Sequence, residues 1–187
     1  TVPVGSITAT LSIAGIEFPT LPAMARPTVE DVTFPIDVVY TWVNGDDPAW
    51  QAARAERTGG ETRRESAGAA RFRSRDELRF SMRSIHAHAP WVRTIHLVTM
   101  GQRPDWLADD PRVRLVDHHD ILPAEALPTF NSQAIETSLH RIPDLAEHFI
   151  YVNDDVFLAR PARPENFFAA GGDFAAFLSD HTIGLPD

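Results

Sequence analysis

HFIYVNDDVFL, residues 148–158, decides how the chain is read. Phe149, Ile150, Tyr151 and Val152 are contiguous and β-prone, as in a buried strand. The run stops at Asn153-Asp154-Asp155, and a second apolar run follows at once. Two adjacent carboxylates at a strand end repel each other and lose hydration if buried, unless water, an arginine or a divalent cation sits with them. Open α/β sheets collect ligands at the carboxyl ends of their strands. Asp154 and Asp155 are therefore the first candidates for a metal-dependent site. The competing reading is an Asp-rich turn with no chemistry.

Upstream, Asn131 or Ser132 can cap a helix whose Ile135, Leu139 and Ile142 face a core and which Pro143 closes. On that helix Glu136 and His140 stand four apart and share a face, either as a surface pair or as part of a site. Further back, Ile36 to Val43 is another nearly continuous β-prone run, as a central parallel strand should be. It breaks at Asn44-Gly45-Asp46-Asp47-Pro48, where Asn-Gly permits positive φ and Asp47 can cap a helix starting at Pro48. A strand, a tight turn and a helix N-terminus form a common anion-binding arrangement. Trp42, next to that turn, is either core or a stacking surface for a base or sugar.

Between these segments, Ser74-x-x-Glu77 has the capping-box pattern, and Leu78, Met82, Ile85 and Ala89 follow as a core stripe ended by Pro90. Arg75, Arg79 and Arg83 form a second stripe, a solvated face or a phosphate-facing one. His86 and His88 do not share a helical face. Strands are expected at 94–99 and 112–116. His118-His119-Asp120 are consecutive and cannot readily aim at one ion, so a polar strand end is the better reading. RTGGETRRESAGAAR, residues 57–71, reads as a loop, either a lid or disorder.

Alternating strands and helices over 36–158 predict an α/β fold with a mostly parallel sheet flanked by helices. Residues 1–34 read as an add-on. Ile7, Ala9, Leu11 and Ile13 have the period of a strand, Ile16 to Phe18 return as a hairpin, and a proline-rich connector follows. The main domain is expected at 35–187. The 187 residues suffice for one domain burying roughly 70% of its unfolded surface. The net charge of −9 argues against a nucleic-acid or membrane-surface binder. All 17 basic residues are arginine, and the absence of cysteine excludes disulfides, zinc thiolates and a thiol nucleophile. No run approaches the ~18 apolar residues of a membrane helix, so we expect a cytoplasmic protein, at most peripheral to the membrane. The first residue is threonine and the ending shows no closing element, so the chain is expected to be a piece of a longer protein.

Taken together, IDVVYTWVNGDDP (36–48), RFRSRDELRFSMRSIHAHAPWVRTIHLVT (71–99), LPTFNSQAIETSLHRIP (127–143) and HFIYVNDDVFL (148–158) closely resemble the Stealth family of sugar-1-phosphate transferases. That family includes bacterial capsule-polymer phosphotransferases and the animal N-acetylglucosamine-1-phosphotransferase. The resemblance implies a fold similar to A-type nucleotide-sugar glycosyltransferases, a nucleotide-diphosphate sugar donor, and a glycan or polysaccharide acceptor. An acceptor hydroxyl would attack the phosphorus next to the sugar, and a nucleoside monophosphate would leave. By the same resemblance, Asp154 and Asp155 hold Mg²⁺ (or Mn²⁺) or activate the hydroxyl, and Asn153 orients them. Thr41, Trp42, Asn44 and Gly45 bind the nucleotide or diphosphate. Glu136 and His140 join the catalytic set on the sugar or acceptor side, with Ser132 beside them, and Arg75 and Arg79 contact phosphate. Gln133 stands where many bacterial relatives have histidine. The family also has two further conserved regions after the aspartate pair, which this chain does not reach. A metal-dependent glycosyltransferase that releases a nucleoside diphosphate, and a non-catalytic sugar-nucleotide-binding module, are the alternatives.

Overall fold

The structure is a computed structural model that describes residues 9–13, 16–20, 32–59 and 75–175. It divides into two compact units: residues 34–167, and residues 1–33 together with 168–187. In the second unit, strands β1 (Ala9–Ile13) and β2 (Ile16–Thr20) pair antiparallel, from Ala9 opposite Thr20 to Ile13 opposite Ile16. This is the expected hairpin. The connector from 21 to 31, the 60–74 segment with the candidate lid and Ser74, and the ending from 176 onward lie outside the described residues.

The unit 34–167 is built on four strands: β3 (Ile36–Thr41), β4 (Ile95–Thr99), β5 (Val113–Asp117) and β6 (His148–Val152). They pair in the order β5-β4-β3-β6, and every pairing is parallel. The expected α/β architecture is therefore present. β3 and β4 are central and buried along their length, which is why they read as continuous β-prone runs rather than alternating ones.

Helix α1 (Pro48–Thr58) begins as expected, with the Asp47 carboxylate accepting from the Ala49 amide and proline at the first turn. It closes on Gly59, whose φ of 62° lets its amide bond back to Ala55 and Glu56. Helix α2 (Glu77–His88) is capped by Asp76 at a positive φ of 66°, and the Glu77 carboxylate accepts from the Arg75 amide. The core stripe holds: Leu78, Met82, Ile85 and Ala89 pack on one sheet face with Val38, Tyr40 and Leu97. The other face carries Val39, Val98 and Val116 under the short helices α3 (His118–Ile121) and α4 (Ser132–Glu136) and the 3-10 turn Leu139–Arg141.

One expected helix is broken. Ser132 to Ile142 is not continuous, because α4 ends at Glu136. The Thr137 hydroxyl donates to the Ala134 carbonyl at 2.9 Å and the Ser138 hydroxyl to the same oxygen at 3.4 Å. Such side-chain back-bonding competes with helix propagation. Ile135, Leu139 and Ile142 still reach the core, but through two short turns.

At the amino ends of the strands sits one buried acid. Asp37 on β3 is 0% exposed. It accepts from Arg93 Nε at 2.9 Å and Nη2 at 2.6 Å, from the Ala146 amide at 2.9 Å, and from His96 Nε2 at 3.1 Å. Burial alone would raise its pKa, but the bonds from Arg93, Ala146 and His96 outweigh it and hold the carboxyl below the usual range. Burial keeps His96 neutral by lowering its pKa, against the pull of Asp37. A neutral Nε2–H donor fits that bond.

Asp37→Ala strands the Ala146 amide and the buried His96, and is expected to cost about 3 kcal/mol, read as a lower denaturation midpoint at unchanged m-value. Since the folded carboxyl titrates below its unfolded value, its stabilisation is complete above about pH 4. It fades as pH falls through the lower folded value. The stability gap between wild type and Asp37→Asn should close over that acid window.

Candidate active site at the carboxyl ends of the strands

The parallel strands end together on one edge, and a cleft of about 410 Å³ opens there. The end of β3 and the residues just after it supply Thr41, Trp42 and Val43, and Trp50 comes from α1. Met100 follows β4, and His118 follows β5. Thr129, Phe130, Ser132, Ile135 and Glu136 come from the approach to α4 and from α4 itself. Tyr151, Asn153, Asp154 and Asp155 come from β6 and its exit. Such a volume suits a small-molecule ligand.

Strand alternation sorts the β6 groups. Ile150 and Val152 pack with the α2 face, while Phe149 and Tyr151 pack with the other. Tyr151 therefore arrives under α4, where its hydroxyl meets three site groups. Thr41 Oγ1 lies at 3.0 Å, Glu136 Oε1 at 3.2 Å and Asn153 Oδ1 at 3.3 Å. Burial is the first cause of a raised phenol pKa, opposed by the Thr41 bond and reinforced by the charge of Glu136. Tyr151 thus stays protonated and can donate to Glu136. The sequence reading gave it only a place in the strand, because a tyrosine in an apolar run has the pattern of core.

Past β6 the chain turns sharply, with the Val156 amide donating to the Asn153 carbonyl at 3.2 Å. The exit is stitched to α2: the Ser81 hydroxyl donates to the Val156 carbonyl, and the Leu158 amide donates to Ser84 Oγ at 2.9 Å. This leaves Asp154 half-buried and Asp155 exposed. The Asp154 pKa is raised, first by burial and further by the charges of Asp155 and Glu77, against a bond from its own backbone. Beneath the site, burial pushes the Tyr40 phenol up to about 12 despite its 2.7 Å bond to Ser81, and the Asp154 charge adds to the shift.

The turn after β3 is held from β4. Gly101, at φ 70°, redirects the chain after Met100. Gln102 then clamps the turn: its Oε1 accepts from the Asn44 amide at 2.9 Å, and its Nε2 donates to Asp47 Oδ2 at 2.7 Å. Asn44 Oδ1 accepts from the Asp46 amide at 3.1 Å. Neither Asn44 nor Gly45 uses the positive φ that the dipeptide permits.

Of the sequence candidates, Thr41, Trp42, Ser132, Glu136, Asn153, Asp154 and Asp155 line the cleft. Asn44 and Gly45 form the turn behind Trp42 and do not line it. His140 is exposed on the 3-10 turn and also lies outside the lining. The helix break removes the shared face with Glu136 that four-residue spacing implies. Arg75 and Arg79 are exposed and do not line the cleft either. His118 does, although its position after a strand gave no reason to separate it from His119. The Asp117–Asp120 capping box starts α3 at His118. That turn buries His118 and leaves the side chain of His119 76% exposed.

The cleft lining carries three carboxylates, Glu136, Asp154 and Asp155, and among the described residues no arginine. Among those residues no group of three or more His, Asp or Glu side chains is placed to hold a metal ion. The adjacent pair Asp154 and Asp155 supplies two carboxylates. That set is short for a closed protein site but typical of Mg²⁺ that completes its shell with water and phosphate oxygens.

Comparison with known proteins shows the family. Residues 34–62 match "Stealth protein CR1, conserved region 1" and residues 71–175 match "Stealth protein CR2, conserved region 2". An exopolysaccharide phosphotransferase of Streptomyces coelicolor is 56% identical over 90% of this chain and 29% of its own length. Exopolysaccharide phosphotransferase CpsY of Mycobacterium leprae is 45% identical over 95% of this chain and 33% of its own. Capsular polysaccharide phosphotransferase LcbA of Aeromonas hydrophila is 44% identical over 82% of this chain and 44% of its own. The chain thus spans less than half the length of these relatives. The first region carries β3 and its clamped turn, the second carries the other three strands of the parallel sheet and the aspartate pair, and on these matches the chain belongs to the Stealth protein family.

Proposed function

We propose that this chain supplies the donor-binding half of a sugar-phosphate transferase acting on a polysaccharide, in the cytoplasm. A hexose-1-phosphate would pass from a nucleotide-diphosphate sugar to a glycan hydroxyl. In that step a bond forms between the acceptor oxygen and the phosphorus next to the sugar. The bond from that phosphorus to the bridging oxygen breaks, and a nucleoside monophosphate leaves with the electron pair. The hydroxyl proton goes to a carboxylate base.

The observation that carries the reading is a cleft whose described lining has three carboxylates and no arginine, in a family whose relatives are named phosphotransferases. A diphosphate could not settle against Asp154 and Asp155 without a cation between them. Mg²⁺ or Mn²⁺ held by that pair would offset charge on the phosphate oxygens. The pair fits, because Asp154 is half-buried and already pressed toward protonation by Asp155 and Glu77, and a cation relieves that pressure. Asn153 and Thr41 are tied to Tyr151, which fixes the mouth of the site from two strands. Glu136, held by the same hydroxyl, stands free to take a proton. Asp154 and Asp155 are both assigned to the catalytic pair.

In the full-length protein, Asp154→Asn and Asp155→Asn should each lower kcat/KM by at least on the order of 100-fold with little change in melting temperature; turnover near wild type in both variants removes the assigned site. Tyr151→Phe frees Glu136, Thr41 and Asn153 together, and steady-state kinetics should show a loss of roughly 10-fold, mainly in kcat. Product analysis with UDP-N-acetylglucosamine should find the nucleoside monophosphate. Nucleoside diphosphate as the sole nucleotide product identifies a glycosyltransferase instead.

A further inference from the structure

Among the described residues the cleft holds one imidazole, and the carboxylate chemistry leaves it unused. His118 is 6% exposed, lines the cleft, and its Nδ1 is buried with no hydrogen-bond partner. Buried polar atoms are paired in more than about nine cases in ten, and an orphan costs about 1–3 kcal/mol. Nδ1 of His88 and of His96 is also unpaired, but neither residue lines the cleft. Trp42 does, and its indole Nε1 is buried and unpaired too. Two lining residues thus carry unspent hydrogen-bonding capacity.

Position in the sheet says what they would meet. His118 follows β5 and the aspartates follow β6, and these are the two edges of the order β5-β4-β3-β6. Three strand spacings separate them, roughly 14 Å. A ligand touching both must be long. Its phosphates belong with a cation at the acidic β6 edge. Met100 after β4 and His118 after β5 line the cleft there, and Thr129 and Phe130 from the approach to α4 add no charge, with the Phe130 ring set edge-on to Trp50 at 5.4 Å. A planar, polar, uncharged group fits there. Burial lowers the His118 pKa, so the ring is neutral and offers one N–H and one lone pair, suited to a base edge or a ribose hydroxyl rather than to a phosphate.

We propose that His118 is a specificity-determining residue that hydrogen-bonds the nucleoside end of the donor, with Trp42, after β3, lying between nucleoside and diphosphate. This rests on the donor reading above, and the test separates the two. Mg²⁺ complexes of UDP, CDP, GDP and ADP, and of inorganic pyrophosphate, are titrated calorimetrically into the full-length protein and into His118→Phe, which keeps a flat ring but no nitrogen. The wild type should bind one or two nucleotides preferentially. His118→Phe should weaken the preferred one about tenfold and leave pyrophosphate unchanged. His118→Asn, which returns a polar group near the place of Nδ1, should recover part of the loss. Should the phenylalanine variant not fold, His118→Leu carries the same expectation. Equal nucleotide affinity in wild type and variant overturns the assignment of His118 while the donor reading stands. Equal weakening of nucleotide and pyrophosphate also overturns it, since a nucleoside contact cannot affect a ligand that lacks a nucleoside. A wild type that binds no nucleotide sinks the donor reading, and this assignment with it.

Discussion

Asp37 is the constraint on which the rest depends. One carboxylate, wholly buried on β3, binds the Arg93 side chain just before β4, the Ala146 amide just before β6, and His96 within β4. It therefore pins the amino ends of three neighbouring parallel strands to one point. Parallel strands have no hairpin turn to fix their register, so a tie of this kind has a large effect on where they end. With Val38 opposite Ile95 on one side and Ile150 on the other, the strands finish at one edge of the sheet. The cleft is a consequence of that shared finish.

The two ends of the sheet treat acids in opposite ways. At the amino end, Asp37 has four donors and is held ionised. At the carboxyl end, Asp154 is half-buried, has acidic neighbours in Asp155 and Glu77, and is pushed toward the neutral form. A satisfied buried carboxylate is a structural tie, whereas a half-buried one with acidic neighbours is a candidate functional group.

Much of this was legible from patterns. Continuous β-prone runs marked β3 and β6, the Asp47-Pro48 start of α1 was local chemistry, and the stripe of Leu78, Met82, Ile85 and Ala89 followed the helical period. The aspartate pair stood out because two charges interrupt an apolar run. What stayed hidden depends on tertiary placement or on weak local competition. Gln102 clamps a turn fifty-eight residues earlier in the chain, at Asn44. Tyr151 and His118 look like core and strand-end residues until α3 and α4 close over the sheet edge. The Glu136 and His140 pairing assumed an unbroken helix, and two hydroxyl bonds from Thr137 and Ser138 to Ala134 end it. Asp37 itself is one acid in a strand of apolar residues, and its partners lie 56, 59 and 109 residues away.

On the proposed function, the acid edge of this cleft accepts an anionic donor only through a divalent cation held at Asp154 and Asp155. Calorimetric titration of UDP into the full-length protein, with and without Mg²⁺, tests it in wild type and in Asp154→Asn. Mg²⁺ should raise nucleotide affinity by at least about tenfold in the wild type, a gain of about 1.4 kcal/mol, and have little effect in Asp154→Asn. Nucleotide binding that ignores Mg²⁺ in the wild type, or a Mg²⁺ response undiminished in the variant, contradicts it.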